Sequence, residues 1–495
     1  MNLALKVLAI NLMIIAMINN SLASTHVYTI AEYSLPDTLD PMMMNNVPSL
    51  VASNLIYDGL VKFSPDLNID NDIAKSWKTS LDGKTITFNL NPEAKFQNGE
   101  KIEASDVVFS LNRLSSSKSV VRSLYDCIES VNEVSKDVVS IKLKWAYPPI
   151  FGIFAGSTAK ILPKKYANKD HFFENPIGSG PFKVSEFNKA QNRIVFKVNE
   201  NYFLNKPKLN SILMRAAKDE EDAKKGARVG LADDLSRWPI TSSDSVFNSG
   251  HKVSGPVLET WIFGMIATKK PFNDTNIRKS FRASFDQEKF RKTFYPEAKP
   301  AFGYIPTGIG GSRSKNIIQD KVSKVSKNPI HIAFPSQLSK SDEMKKFIES
   351  EFNTKGWNVT VDLVSWDELI SGYSTRKYQS FFLSMNMDYP DADFLLKNFE
   401  SKNPDNFSGI KNIQLDKIIK EMRSINDKDK RLKAYNDAVG ILDDLSLTIN
   451  VLHPRNNYWT STCVRGLEPN LLSSVYIDYR NVYFDEKCLS VKGNL

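Results

Sequence analysis

Residues 72–113 read DIAKSWKTSLDGKTITFNLNPEAKFQNGEKIEASDVVFSLNR, and the reading of this stretch decides the fold. Residues 77–80 and 85–90 flank Leu81-Asp82-Gly83-Lys84, and the second run alternates Ile86, Phe88 and Leu90 with polar residues. Asp-Gly between such runs favours the positive-φ positions of a tight hairpin turn. Asn98-Gly99 marks a second turn. Ala104-Ser105-Asp106 then supplies helix-start chemistry ahead of Val107, Val108 and Leu111, which share one helical face. The expected product is a small α+β unit.

A chain of 495 residues exceeds what one core usually serves, so two or three lobes are expected. Hydrophobic residues at 41% and charged residues at 24% describe an ordinary globular composition. The net charge of +9 is spread along the chain, with acidic and basic residues interleaved. No cluster of Lys and Arg with stacking aromatics marks a nucleic-acid groove. Residues 7–18 form an apolar run after Lys6, apart from Asn11, and Ser21-Leu22-Ala23 offers small residues for cleavage. Residues 1–23 are therefore expected to be a signal peptide, too short for the ~20 residues of a bilayer span. No later stretch is apolar enough to cross a membrane, so the mature protein is expected to be exported and not membrane-spanning.

Outward from 72–113, several stretches share one pattern. They are IAKSW, DGKTITFNL, FQNGE and ASDVVFSLNR within the opening stretch, TLDPMMMNNVPSLVASNLIYDGLV at 38–61, and PIGSGPF at 176–182. KKPFNDTNIRKSFRASFDQEKF at 269–290 and DYPDADF at 388–394 complete it. Ser49 is placed to cap the helix within 38–61, and the glycines of PIGSGPF permit a sharp backbone reversal into a strand at 182–187. Together these stretches resemble the extracellular solute-binding proteins, family 5, which deliver dipeptides and oligopeptides to ABC importers. The resemblance implies an α/β, bilobed periplasmic-binding-protein-like fold of the class II type with an extra small α+β domain. It assigns 24–58, 170–262 and 460–495 to a discontinuous lobe I, 59–169 to the accessory domain, and 263–459 to lobe II. Strands 329–334 and 356–363 around a helix at 339–355 are expected to form a right-handed crossover in lobe II.

The resemblance also implies a function without chemistry: a periplasmic monomer that binds a peptide between its lobes and hands it to an inner-membrane ABC permease, with no cofactor. Its amine-binding aspartate is the first Asp of the DYPD motif, Asp388. A carboxylate there would meet a peptide's ammonium group with a charge-assisted hydrogen bond. Asp391 and Asp393 offer the same chemistry in turn or cap roles. Relatives carry Gly-Trp where this chain has Ser384-Met385, so Met385 would form a softer wall. Trp366 matches a second cleft tryptophan and would border a side-chain pocket, with a place in the core as the alternative. The backbone near Met385, Asn386 and Met387 would pair with the peptide main chain. Asn45 stands where oligopeptide binders carry an acid, so that role is not carried over.

Enzyme readings find little purchase. Gly83-Lys84-Thr85 resembles the tail of a P-loop, but position 78 is Lys, and no Gly-x-Ser-x-Gly elbow occurs. The five histidines, His26, His171, His251, His331 and His453, lack metal-ligand spacing. An oligosaccharide, an opine, haem or a nickel complex are alternative ligands on the same fold, and a secreted hydrolase is the alternative of another class. Cys463 and Cys488 are close enough in sequence to close a C-terminal loop, which would leave Cys127 as a buried, inert thiol.

Overall fold

The computed structural model describes residues 26–238, 240, 244–317 and 320–488. The expected signal segment lies outside the described residues. The 74–90 hairpin of the accessory unit forms as its turn chemistry dictates. Ala74–Thr79 pairs antiparallel with Thr85–Leu90, Gly83 adopts φ +70°, and Ile86, Phe88 and Leu90 point into the core. Val138–Leu143 and Ile128–Ser135 extend the sheet to four strands, and helix Ala104–Leu114 packs on it. That helix is capped one residue earlier than expected. Glu103 is its N-cap, in a capping box with Asp106.

Lobe I carries a four-stranded sheet in the spatial order Tyr28–Glu32, Ser211–Ala216, Arg193–Val198 and Phe182–Asn188. The first pair is parallel and the others antiparallel. The helix Val47–Ile56 lies against it and is capped by Asn46, not by Ser49. Ser49 lies within the first turn, and its hydroxyl accepts the Asp37 N–H at 3.1 Å. Gly178 and Gly180 lead into the sheet without positive φ. Glycine is needed there because a Cβ at 178 would stand 1.9 Å from the Ile56 carbonyl oxygen. Close approach, rather than a sharp reversal, sets these two residues.

Lobe II is built on a six-stranded mixed sheet in the order Lys299–Pro300, Thr448–His453, Glu259–Met265, Ser380–Asn386, Ile330–Pro335 and Val359–Val364. The last three are parallel to one another, and the expected crossover runs through helix Ser341–Asn353. Their buried, β-branched and aromatic side chains suit a sheet covered on both faces. Asn386, Pro335 and Val364 all end at one edge of this sheet, and the two crossings to lobe I leave from the same edge.

Those crossings are short. Gly250–Pro256 and Glu259–Met265 are separated by Val257 and Leu258 alone, and Thr448–His453 and Arg455–Ser461 by Pro454 alone. Strands 250–256 and 455–461 pair with each other on the lobe I side. The chain thus changes sheet at 257–258 and at 454, a few residues before the expected divisions at 262/263 and 459/460. Residues 259–262 hydrogen-bond in the lobe II sheet, and 455–459 pair in the lobe I ribbon.

The C-terminal segment is tied back to lobe I by a disulfide between Cys463 and Cys488, while Cys127 is free, buried, and has its thiol pushed up to about 12 by that burial. A buried charge pair joins it to the first strand. Arg237 Nε donates to Glu32 Oε1 at 2.9 Å, and its other nitrogens reach the Ser474 carbonyl and the Tyr479 hydroxyl. Tyr479 in turn donates to Asp234 Oδ2 at 2.8 Å. Removing one partner of a buried pair leaves the other uncompensated. Arg237→Met is therefore expected to lower the unfolding free energy by about 3–5 kcal/mol in urea titration.

Glu259, beside the first crossing, gives a pH prediction. Burial pushes its carboxyl up to about 6, against hydrogen bonds from Trp261 and Ser384. A group whose pKa rises on folding contributes most below its unfolded value, here 4.5, and that contribution is lost as pH rises through about 6. Glu259→Gln should therefore raise the melting temperature at pH 7.5 relative to the parent chain. It should also flatten the fall in stability between pH 4.5 and 7, read by calorimetry.

Candidate functional site

The candidate site forms at the edge of the lobe II sheet from which the crossings leave. Strand Ser380–Asn386 pairs along its whole length with Glu259–Met265. On its other side only Ser380 and Phe381 pair, with Ile332 and Ala333. From residue 382 onward the main chain has an open edge among the described residues, the geometry on which a further extended segment can be added.

Alternation along this strand sorts the expected site residues. Met385 and Met387 are turned into the lobe II core, 7% and 2% exposed. Asn386 and Asp388 face outward. The side chains of the two methionines thus pack in the core, and what they present at the edge is backbone. Trp366 stands at the start of helix Trp366–Thr375, whose N-cap is Ser365. It is 47% exposed, so a core role does not apply. It projects from the same sheet edge, two strands and about 10 Å from Ser380–Asn386.

The three carboxylates of the DYPD stretch have different surroundings. Asp393 is buried and accepts hydrogen bonds from Tyr147 Oη at 2.9 Å and Arg423 Nε at 2.6 Å. Arg423 also grips Glu400 with two nitrogens. Asp391 accepts from Tyr435 Oη at 2.6 Å and from the Asp393 N–H at 3.0 Å. Asp388 alone of the three has no hydrogen bond and no ion pair among the described residues. Water reaches its carboxylate, yet the protein crowding around it pushes its pKa up, an effect partly offset by the Lys397 ammonium. Lys397 itself lies over the rings of Phe394 and Tyr389.

Lobe I and the accessory unit converge on the same point. Tyr476 faces Asp388 closely enough that the carboxylate adds to the burial that pushes its phenol up to about 12. Tyr476 hydrogen-bonds Ser157 and packs edge-on against Phe63 at 5.7 Å. Asn54 Nδ2 donates to Ser157 Oγ and to the Val475 carbonyl, both at 2.9 Å, and so holds this wall in place. Beside it, a cavity of about 440 Å³ runs to the crossings, bounded by Leu67, Val257, Ile309, Pro390, His453 and Leu471.

Tyr389, next to Asp388, leaves lobe II altogether. Its ring is buried in the accessory core, against Gly152, and its hydroxyl lies 3.2 Å from that of Tyr147. Sequence reasoning missed Tyr389, Tyr476, Phe63 and Lys397, because their roles depend on partners far away in the chain. The only local signal was the placement of Tyr389 inside a recognised motif. Among the described residues no group of His, Cys, Asp and Glu has the geometry of a metal site, and no helix is long and apolar enough to cross a membrane.

Comparison with known proteins bears on this geometry. A glutathione-binding protein, GsiB, of Salmonella paratyphi A is 28% identical over 288 residues, a match covering 56% of each chain. The chain thus spans little more than half the length of the GsiB relatives it matches. The dipeptide-binding protein DppE of Bacillus subtilis is 23% identical over 481 residues, covering 87% of each. The crystal structure of the ABC transporter substrate-binding protein CtaP from Listeria monocytogenes superimposes with a TM-score of 0.83 at 19% identity, over 93% of this chain and 99% of that one. That likeness shows the bilobed fold. The family model described as bacterial extracellular solute-binding proteins, family 5 Middle, matches residues 68–407. With more than half its length matched, and with this arrangement of sheets, the chain belongs to the bacterial extracellular solute-binding proteins of family 5.

Proposed function

We propose that this chain is the substrate-binding component of an ABC importer, a monomer that works in the periplasm after export and captures short peptides. For this purpose we divide it at 257–258 and at 454 into two lobes, with 59–169 as the accessory domain. The observation that carries the reading is Asp388, the one DYPD carboxylate left without a partner, set beside the open edge of strand Ser380–Asn386. A peptide laid along that edge would pair through its main chain, which reads extension and not sequence. Its ammonium group would meet Asp388. Asn386 faces the same side, and Trp366 would border a more distant side chain. The names of the relatives, glutathione-binding and dipeptide-binding, point to the same class of ligand.

Capture needs no bond to be made or broken. A ligand touching both lobes favours the closed arrangement by its differential affinity for it, and the closed shape would be what a membrane permease reads. The chain would thus deliver its ligand without acting as an enzyme.

Asp388→Asn tests this. Loss of a desolvated charge pair costs about 2–5 kcal/mol, so the affinity for Ala-Ala should fall by about 30-fold or more in isothermal titration calorimetry. The parent chain should reject N-acetylated Ala-Ala, and the variant should no longer distinguish the two. Because the Asp388 carboxyl has a raised pKa, affinity in the parent should also decline as pH falls into the acid range and that group takes up a proton. Equal affinity of parent and variant at neutral pH would refute the assignment.

A further inference from the structure

A second cavity, also of about 440 Å³, is lined by lobe I and accessory residues alone, between the hairpin Val61–Phe63 with Ile69–Asn71 and the C-terminal segment around 469–481, and it shares Asn54, Phe63, Val475 and Tyr476 with the wall that faces Asp388. Its size falls at the lower end of the range for small-molecule sites. On its lining stand three charged side chains that the peptide site does not use: Asp58, Asp72 and Lys160, only 6%, 4% and 8% exposed. Backbone contacts hold them together. Gly59 bridges to Lys160, the Ile161 N–H donates to the Asp58 carbonyl, and the Gly59 N–H donates to Asp72 Oδ2 at 3.1 Å.

The hydrogen bonding of this cluster is incomplete in two complementary places. Asp58 Oδ1 accepts from Tyr202 Oη at 3.1 Å, but Asp58 Oδ2 is buried and has no donor. The Lys160 ammonium makes no hydrogen bond and no ion pair among the described residues, although it feels the charge of both aspartates. Burial raises both carboxyls and lowers the lysine, as expected for charges kept from water. Leaving such groups without partners is costly. Arg480, also on the lining, turns two of its nitrogens to Asp478 and makes no hydrogen bond to Asp58 Oδ2.

The missing partners define a ligand. Asp58 needs a donor and Lys160 an acceptor. A simple anion would answer the lysine but add negative charge beside two aspartates. A simple cation would answer the aspartates but face Lys160, with Lys62 only 4.0 Å from Asp72. A molecule with an ammonium and a carboxylate on one carbon satisfies both and adds no net charge.

We propose that this cavity is a binding site, using charged groups distinct from Asp388, for a small zwitterion of amino-acid size, with its ammonium on Asp58 and its carboxylate on Lys160.

The test uses the full mature chain carrying Asp388→Asn, so that interlobe binding is weakened, and titrates it with glycine and L-alanine by calorimetry. Saturable binding of either is expected, with acetate and methylammonium each at least tenfold weaker. Adding Lys160→Met or the isosteric Asp58→Asn should weaken glycine and L-alanine binding at least tenfold. In the parent background, the same two substitutions should leave the affinity for Ala-Ala within twofold. Three results overturn the proposal: no binding of either amino acid at millimolar concentration, acetate or methylammonium binding as tightly as glycine, or unchanged amino-acid affinity in a folded Lys160 or Asp58 variant. If both variants fail to fold by circular dichroism, the comparison of glycine with acetate and methylammonium decides alone. The two sites are tested separately, since Ala-Ala binding reports on Asp388 and amino-acid binding in the Asp388→Asn chain reports on this cavity.

Discussion

Two backbone crossings, one of two residues and one of a single proline, are all that separates the strands of one lobe from those of the other. Each crossing joins strands that are hydrogen-bonded on both sides, so neither lobe can shift without turning about Val257–Leu258 and Pro454. Proline at one of them removes a donor and limits φ, which narrows the motions available. The rest of the architecture follows from where they leave. They depart from the edge of the lobe II sheet at which three parallel strands end, and open α/β sheets offer ligands their crevice at the carboxyl ends of such strands. The hinge and the candidate site therefore share an edge.

Within that edge, the division of labour among carboxylates is set by burial. A buried carboxylate needs hydrogen-bond donors around it, and Asp391 and Asp393 have them: Tyr435 for the first, and Arg423 and Tyr147 for the second. Asp388 is left to water and to whatever arrives. The cluster at Asp58, Asp72 and Lys160 poses the same problem of supply and demand in a different place, with one donor and one acceptor short. At Arg237 the nitrogens are distributed over a carboxylate, a carbonyl and a hydroxyl, and of the Glu32 oxygens only Oε2 is left without a donor.

Much of the scaffold was legible in the sequence because its causes are local. The Asp-Gly turn at 82–83, the alternation at 85–90 and the β–α–β run at 330–364 each carry their own instruction, and the structure follows them. Caps were legible only approximately: Asn46 rather than Ser49 and Glu103 rather than Ala104-Ser105 begin their helices, because adjacent polar residues compete for the same N–H groups. The need for glycine at 178 and 180 was visible, but its reason was not, since the atoms that exclude a Cβ belong to Leu55–Tyr57. The same holds for the site. Three aspartates within six residues look alike in sequence, and only remote partners decide which of them remains free. The inward turn of Met385 and Met387 was hidden because residues 380–385 are nearly all buried, which erases the two-residue alternation that would have revealed it.

The placement of Tyr389 has one more consequence. Residue 388 faces the gap between the lobes while residue 389, one peptide bond away, is anchored in the accessory core. A motion of the lobes that drew residue 389 out of that core would bring an aromatic ring into water, at roughly 1.5–3 kcal/mol, and detach the Tyr147 hydroxyl from Asp393. The accessory unit would then be a counterweight against opening, in place before any cargo binds. A cargo need supply only the remainder, and residue 388 would sense it one bond from the anchor that resists release.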